Sequence, residues 1–327
     1  MSYILTERRG LVGYITLNRP EVLNSLSHSM IGDIQSALDA HIADNDVDVI
    51  VINSTSQRAF CAGGDMKATR LQAIDQQWDE LQAFFKEEYA LNLAISLCPK
   101  PYVSFIDGIA MGGGLGLSVH GAVSIVSETA RLAMPETAIG FFPDVGGTYF
   151  LSRAPNDAGL WLALTGQSVL GAQAVSVGLA THCVEKEKWP DIIDALEKHG
   201  RAALTEPLSG MTNNDVSGDF IETLELRRKW FSEPDLASLI QRLKTASGDF
   251  EDAAKLLNRV KSNSPFGMDL TRQCLSDAKE QENLEACLKL ELIAADTAVR
   301  HPDFVEGIRA VLVDKNKALW QSEVPDV

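Results

Sequence analysis

Short β-branched runs alternate with amphipathic helical stretches through roughly the first 200 residues, and this alternation most constrains the fold. The clearest predicted strands are residues 11–17 and 47–52. Between them, apolar residues recur at helical spacing after Ser27, which can cap that helix. Each such helix must bury its apolar face against a sheet, so the pattern predicts a layered α/β core.

The pattern changes after about residue 200. Residues 208–220 are rich in Ser, Gly, Asn and Thr, and helical spacing dominates beyond them. We therefore expect a core of residues 1–200 and a mostly helical C-terminal region of residues 201–327. The last apolar stripe, from Phe304 to Leu312, has to pack against the core or another subunit, so self-association is one expectation.

Charge and composition narrow the class of protein. The chain has 29 Lys and Arg against 45 Asp and Glu, a formal charge of −16, which argues against nucleic acid as a partner. We expect no membrane-spanning segment and no secretory or transit peptide. The five cysteines are scattered, without a C-x-x-C pair, and predict reduced thiols in the cytoplasm rather than a zinc site.

Two glycine-rich segments are candidate anion cradles. The first, residues 59–65, contains Gly63 and Gly64, and the second, residues 107–116, contains three adjacent glycines. Small residues let backbone N–H groups approach a ligand, and a helix start adds its dipole. Ordinary turns are the alternative. The second segment fits no dinucleotide fingerprint, and neither a P-loop nor a G-x-S-x-G elbow occurs in the chain.

A third segment carries two acids among apolar neighbours, Glu136 and Asp144. Gly140 and Pro143 make one continuous helix between them improbable, so the acids can converge. Burial would raise the pKa of such carboxyls toward the range useful for proton transfer. Two surface acids flanking a buried loop is the alternative reading.

Glu88 lies in an amphipathic helical pattern, where a charged residue usually belongs to the solvated face. On the pattern alone, that is its expected place.

Taken together, these segments resemble the crotonase superfamily, also called the enoyl-CoA hydratase/isomerase family, and among its members the hydrolases that act on 3-hydroxyisobutyryl-CoA. Residues 205–265 carry little of the resemblance. The matching segments are residues 13–20, 59–65, 85–89, 111–114, 116–121, 134–140, 142–147 and 301–311.

The resemblance implies an α/β spiral of ββα turns with a mostly helical C-terminal region, binding an acyl-CoA substrate. It assigns the oxyanion hole to the N–H groups of Gly64 and Gly113. Hydratases of the family carry a catalytic glutamate where this chain has Gly116. The hydrolase-like members instead imply Glu136 and Asp144 as catalytic residues.

The expected activity is therefore thioester hydrolysis, with 3-hydroxyisobutyryl-CoA of valine breakdown as substrate and no cofactor or metal. The resemblance implies that Glu88 binds the substrate hydroxyl. Two alternatives stay open: an enoyl-CoA hydratase or isomerase, and a non-catalytic acyl-CoA-binding protein.

Overall fold

A computed structural model describes residues 2–323 and 325, with only the backbone of residues 206 and 207. Close contacts divide the chain into two compact units, each assembled from separate stretches. The first unit comprises residues 1–65, 87–133 and 168–216, and the second comprises residues 66–86, 134–167 and 217–327. The division expected at residue 200 rests on the change in residue pattern along the sequence and not on contacts. It stays a prediction.

Strands of the first unit form a six-stranded and a four-stranded sheet among the described residues. In chain order the strands are β1 (Ile4–Arg9), β2 (Val12–Leu17), β3 (Val49–Ser54), β4 (Ala59–Cys61), β5 (Tyr102–Ile106), β6 (Ile109–Met111), β7 (Val123–Val126), β8 (Arg131–Ala133), β9 (Val169–Leu170) and β10 (His182–Cys183).

The larger sheet has the order β1-β2-β3-β5-β7-β10 and the smaller has the order β4-β6-β8-β9. Only β1 with β2 and β8 with β9 pair antiparallel among these described strands. From β3 to β8, successive strands alternate between the sheets, so each pass of the chain adds one parallel strand to both. This repetition confirms the predicted spiral of ββα turns.

Helices fill the connections of the first unit and make up most of the second. In chain order they are α1 (His28–Ala43), α2 (Met66–Ile74), α3 (Trp78–Ser96), α4 (Gly113–Gly116), α5 (Gly147–Ser152), α6 (Ala158–Thr165), α7 (Gly171–Ser176), α8 (Trp189–His199), α9 (Glu206–Ser209), α10 (Gly218–Trp230), α11 (Leu236–Ala246), α12 (Glu251–Ser262), α13 (Pro265–Lys279), α14 (Leu284–Arg300) and α15 (Pro302–Ile308). Within the described range, none is both long and apolar enough to cross a membrane.

Local sequence signals explain several of these elements. Ser27 caps α1 by accepting a hydrogen bond from the N–H of Met30 at 3.3 Å, as predicted. The predicted helical C-terminal region is confirmed by α10 to α15. Its last apolar stripe was expected to be buried. Phe304 and Ile308 are buried, whereas Val311 is 41% exposed.

Candidate active site

The first glycine turn follows β4, which ends at Cys61. Gly63 has a φ of +97°, a backbone conformation that L side chains rarely adopt. A Cβ atom there would lie 3.1 Å from the carbonyl oxygen of Met111 and 3.5 Å from the nitrogen of Gly113. Glycine at position 63 therefore lets this turn approach the second glycine segment closely.

Glu88 reaches the same place from α3. A Cβ atom on Gly113 would lie 2.5 Å from Oε1 of Glu88 and 3.5 Å from the nitrogen of Gly64. Glu88 itself is 3% exposed. The structure thus brings Gly64, Gly113 and Glu88 together, and the space between them exists because residue 113 has no side chain.

The two backbone N–H groups of the cradle have distinct origins. Leu26 forms a parallel bridge with Gly64, and both of its hydrogen bonds go to the residues on either side of Gly64. The N–H of Leu26 donates to the carbonyl of Gly63, and the N–H of Asp65 donates to the carbonyl of Leu26. The N–H of Gly64 therefore points away from Leu26. Gly113 opens α4, and the first N–H groups of a helix have no acceptor within it. This arrangement suits a ligand oxygen that carries negative charge.

Solvation differs between the two neighbouring acids of α3. Glu87 is exposed and lies 2.8 Å from Nε2 of His28, as a solvated-face residue would. Glu88 is buried, so the pattern-based expectation of a solvated acid is wrong for it.

Cys61 ends β4, just before the first glycine turn. Burial raises the pKa of its thiol to about 12, which leaves the thiol protonated at neutral pH.

Glu136 belongs to the second unit, where it begins a short 3-10 turn ending at Ile139. Gly140, which follows the turn, has a φ of +71°, and a side chain there would collide with the backbone of Asp303. Glu136 is 7% exposed. The alternative of a surface acid is therefore wrong for Glu136, and the break at Gly140 is as predicted.

Asp144 lies in the irregular segment that follows, and it is 6% exposed. The next two residues both have positive φ values, +54° for Val145 and +79° for Gly146, before α5 begins. Left-handed backbone is costly for a β-branched residue. Asp144 is therefore carried by a strained segment that its surroundings must hold in place.

A third buried acid, missed by sequence reasoning, lies at this segment. Glu291 of α14 is 1% exposed, and its carboxylate accepts hydrogen bonds from the N–H groups of Gly146 at 2.7 Å and Thr148 at 3.0 Å. Burial, and secondarily the nearby charge of Asp144, raise the pKa of Glu291 to about 8. A signal existed: Glu291 falls on the helical stripe of Leu284, Leu288, Ala295 and Ala298.

Comparison with known proteins agrees with this fold and these motifs. A family model described as enoyl-CoA hydratase/isomerase matches residues 12–326. The chain belongs to this family. The match includes the helical region in which residues 205–265 showed little resemblance, so that region is part of the family pattern.

Curated relatives cover nearly the whole chain. It is 39% identical over 324 residues to the 3-hydroxyisobutyryl-CoA hydrolase, mitochondrial, of Gallus gallus, covering 96% of this chain and 83% of that protein. It is 37% identical to the Homo sapiens protein of the same name, covering 96% of this chain and 84% of that protein.

Solved structures confirm the fold. A carnitinyl-CoA dehydratase from Mycobacterium thermoresistibile has a TM-score of 0.91 at 35% identity, covering 98% of this chain and 92% of that one. An enoyl-CoA hydratase from Rhodobacter sphaeroides 2.4.1 has the same TM-score and identity, covering 99% and 94%.

Proposed function

We propose that this protein hydrolyses 3-hydroxyisobutyryl-CoA to 3-hydroxyisobutyrate and CoA. The relatives named for that reaction, at 37–39% identity over nearly the whole chain, carry the assignment. The cradle of Gly64 and Gly113 supports it chemically, because thioester hydrolysis places negative charge on the carbonyl oxygen.

In the proposed reaction, the N–H groups of Gly64 and Gly113 bind the thioester oxygen. Either Glu136 attacks the carbonyl carbon itself and forms an anhydride that water then hydrolyses, or water attacks that carbon while Glu136 takes its proton. The C–S bond then breaks, CoA leaves as a thiol after protonation, and water supplies the new carboxylate oxygen. Asp144 orients or activates water and assists the leaving thiolate. The resemblance of residues 134–140 and 142–147 to the hydrolases of the family supports these roles of Glu136 and Asp144.

Glu88 is proposed to bind the 3-hydroxyl of the substrate. Its carboxylate oxygen lies against Gly113, one of the two proposed oxyanion donors. An acceptor at that place suits a hydroxyl close to the thioester carbonyl. A buried acceptor that loses its hydroxyl partner costs binding energy, so the site should discriminate strongly against acyl groups that lack the hydroxyl.

The deciding experiment measures thiol release from 3-hydroxyisobutyryl-CoA and hydration of crotonyl-CoA on one enzyme preparation. We expect rapid thiol release by the wild type, none by Glu136→Gln, and impaired release by Asp144→Asn. The exposed Glu285→Gln, on α14, is the matched control and should behave as wild type. Single turnover in heavy-oxygen water labels the Glu136 side chain if Glu136 forms an anhydride that water opens at the Glu136 carboxyl carbon. Label found only in 3-hydroxyisobutyrate means that water attacks the acyl carbon, either of the thioester or of the anhydride.

Enoyl-CoA hydration is the second candidate, favoured by the names of the two structures at 35% identity. It predicts faster hydration of crotonyl-CoA than thiol release, together with an active Asp144→Asn variant. Tight acyl-CoA binding without any product would instead indicate a non-catalytic binding protein.

We further propose that the enzyme needs no cofactor besides the CoA of its substrate and acts in the cytoplasm. Fractionation of the source cells, followed by the thiol-release assay on each fraction, tests the location. The thiol-release assay after exhaustive dialysis against a chelator tests whether activity needs a metal or another dissociable cofactor.

A further inference from the structure

Glu291 occupies the buried face of α14, within the second unit. One carboxylate oxygen accepts the N–H of Gly146 at 2.7 Å, and the other accepts both the N–H of Thr148 at 3.0 Å and its hydroxyl at 2.5 Å. These three bonds tie together residues 143 to 145 positions apart in sequence. One side chain therefore fixes the segment directly after Asp144.

The segment needs such a restraint. Val145 has a φ of +54° and is 1% exposed, so its branched side chain is buried in a left-handed conformation. A conformation of this kind persists only where the surroundings impose it. Two N–H groups converging on one carboxylate, at Gly146 and Thr148, are a restraint of that kind.

We propose that Glu291 is the positioning residue for Asp144: it holds the Asp144–Thr148 segment in its left-handed turn, and with it the Asp144 carboxylate. This inference rests on the proposed function, because it takes Asp144 to be catalytic. Glu291 would act through the backbone of Gly146 and Thr148, without contact to the substrate.

Because Glu291 can ionise, its restraint on the segment should depend on pH, whereas a restraint by packing alone would not. The titratable groups near Glu291 are Asp144 of the restrained segment, Cys274 of α13 and Cys287 of its own helix. Burial raises the pKa of Cys274 to about 12 and also raises that of Cys287, so neither thiol carries charge near neutral pH. Of the groups for which burial raises the pKa here, Glu291 is the one whose pKa lies near 8.

The test compares Glu291→Gln with wild type in the thiol-release assay from pH 5.5 to 9.5. Glutamine keeps the size of the side chain but replaces one acceptor oxygen by an NH2 group and cannot ionise at any pH of the assay. Misplacement of a reacting group by about 1 Å can cost on the order of 100-fold, so we expect kcat to fall by on the order of 10-fold to 100-fold. KM should stay within a factor of about 2. The inflection near pH 8 should be present in wild type and missing from the variant.

Two controls separate positioning from general damage. Glu285→Gln, on the same helix but half exposed and paired with Lys289, should leave both kcat and the pH profile unchanged. Val145→Gly removes the cost of the left-handed conformation, so adding it to Glu291→Gln should restore part of kcat. A purely structural role for Glu291 would lower thermal stability and leave the pH profile of the folded enzyme unchanged.

The outcomes are distinct. If Asp144→Asn loses activity while Glu291→Gln keeps the wild-type kcat and pH profile, the inference is wrong and the hydrolase assignment stands. If Asp144→Asn stays active, the proposed function fails first. Should Glu291→Gln not fold, Thr148→Val decides. It removes only the hydroxyl donor, so a loss of kcat at constant KM supports the inference and an unchanged kcat overturns it.

Discussion

The substitution Gly113→Ala tests the cradle directly, because it adds one methyl group where the structure leaves room for none. The new Cβ would lie 2.5 Å from Oε1 of Glu88 and 3.1 Å from Cδ1 of Leu26. It would also lie 3.5 Å from the nitrogen of Gly64, inside the space assigned to the thioester oxygen. Gly113 is not among the described residues with positive φ, so alanine fits its backbone.

The size of the effect follows from these distances. Glu88 would have to retreat by roughly 1 Å to reach an ordinary contact, and displacements of that size cost on the order of 100-fold. Alanine keeps the N–H of residue 113, so the loss comes from this displacement and from the methyl group near the two donors, not from a missing donor. We therefore expect kcat/KM for 3-hydroxyisobutyryl-CoA to fall by on the order of 100-fold, or about 2.7 kcal/mol.

The assay is thiol release by purified variants whose circular dichroism matches the wild type. Gly32→Ala is the matched control, since Gly32 is exposed on α1 with nothing within 4 Å of an added Cβ. It should leave activity unchanged and stabilise the helix by about 0.5–1 kcal/mol. A folded Gly113→Ala enzyme that keeps its activity within a factor of about 3 would refute the cradle.

Three further outcomes are expected. Glu88→Ala should narrow the ratio of kcat/KM between 3-hydroxyisobutyryl-CoA and isobutyryl-CoA, and an unchanged ratio would remove Glu88 from hydroxyl recognition. Ser264→Ala should lower the free energy of unfolding in urea by about 1–3 kcal/mol, because the Ser264 hydroxyl donates to buried Asp303 at 2.7 Å and caps α13. The raised pKa of Glu291 means that the folded state binds more protons than the unfolded state between about pH 4.5 and 8, so its contribution to stability is lost as pH rises through that range. The difference in unfolding free energy between wild type and Glu291→Gln should fall accordingly from pH 5.5 to 8, and a pH-independent difference would contradict the shift.

For Glu88 and Glu291, the position on the helical stripe predicts burial correctly, whereas the charge of the side chain does not. Glu88 falls on the stripe of buried residues that includes Leu81, Phe84 and Ile95, and Glu291 falls on the corresponding stripe of α14. Because charged residues usually face solvent, Glu88 was expected on the solvated face of the helix, although its spacing places it on the buried stripe. An acid at an apolar position of a helix should instead be read as buried and in need of donors.

The partners of those buried acids were beyond reach of the sequence. Glu136 and Asp144 stood out because their neighbours in the chain are apolar, which is a local signal. The backbone N–H groups that donate to Glu291 lie 143 and 145 residues away in the chain. Because a local sequence pattern covers only a few residues, it cannot predict hydrogen bonds at that separation. The strain at Val145 is likewise invisible in sequence, because it is imposed by contacts formed only after folding.

The helical C-terminal region is the scaffold of the two proposed catalytic acids within the second unit. Three glycines permit its backbone to meet the segment that carries them. A side chain at Gly140 would strike Asp303, one at Gly307 would strike Ile139, and one at Gly267 would lie 2.7 Å from the carbonyl oxygen of Phe141. Such approaches have no room for a Cβ, so they fix the turn after Glu136 against α13 and α15. The helices that hold this turn therefore help to position the acids, and they lie within the residues that the family model matches, 12–326.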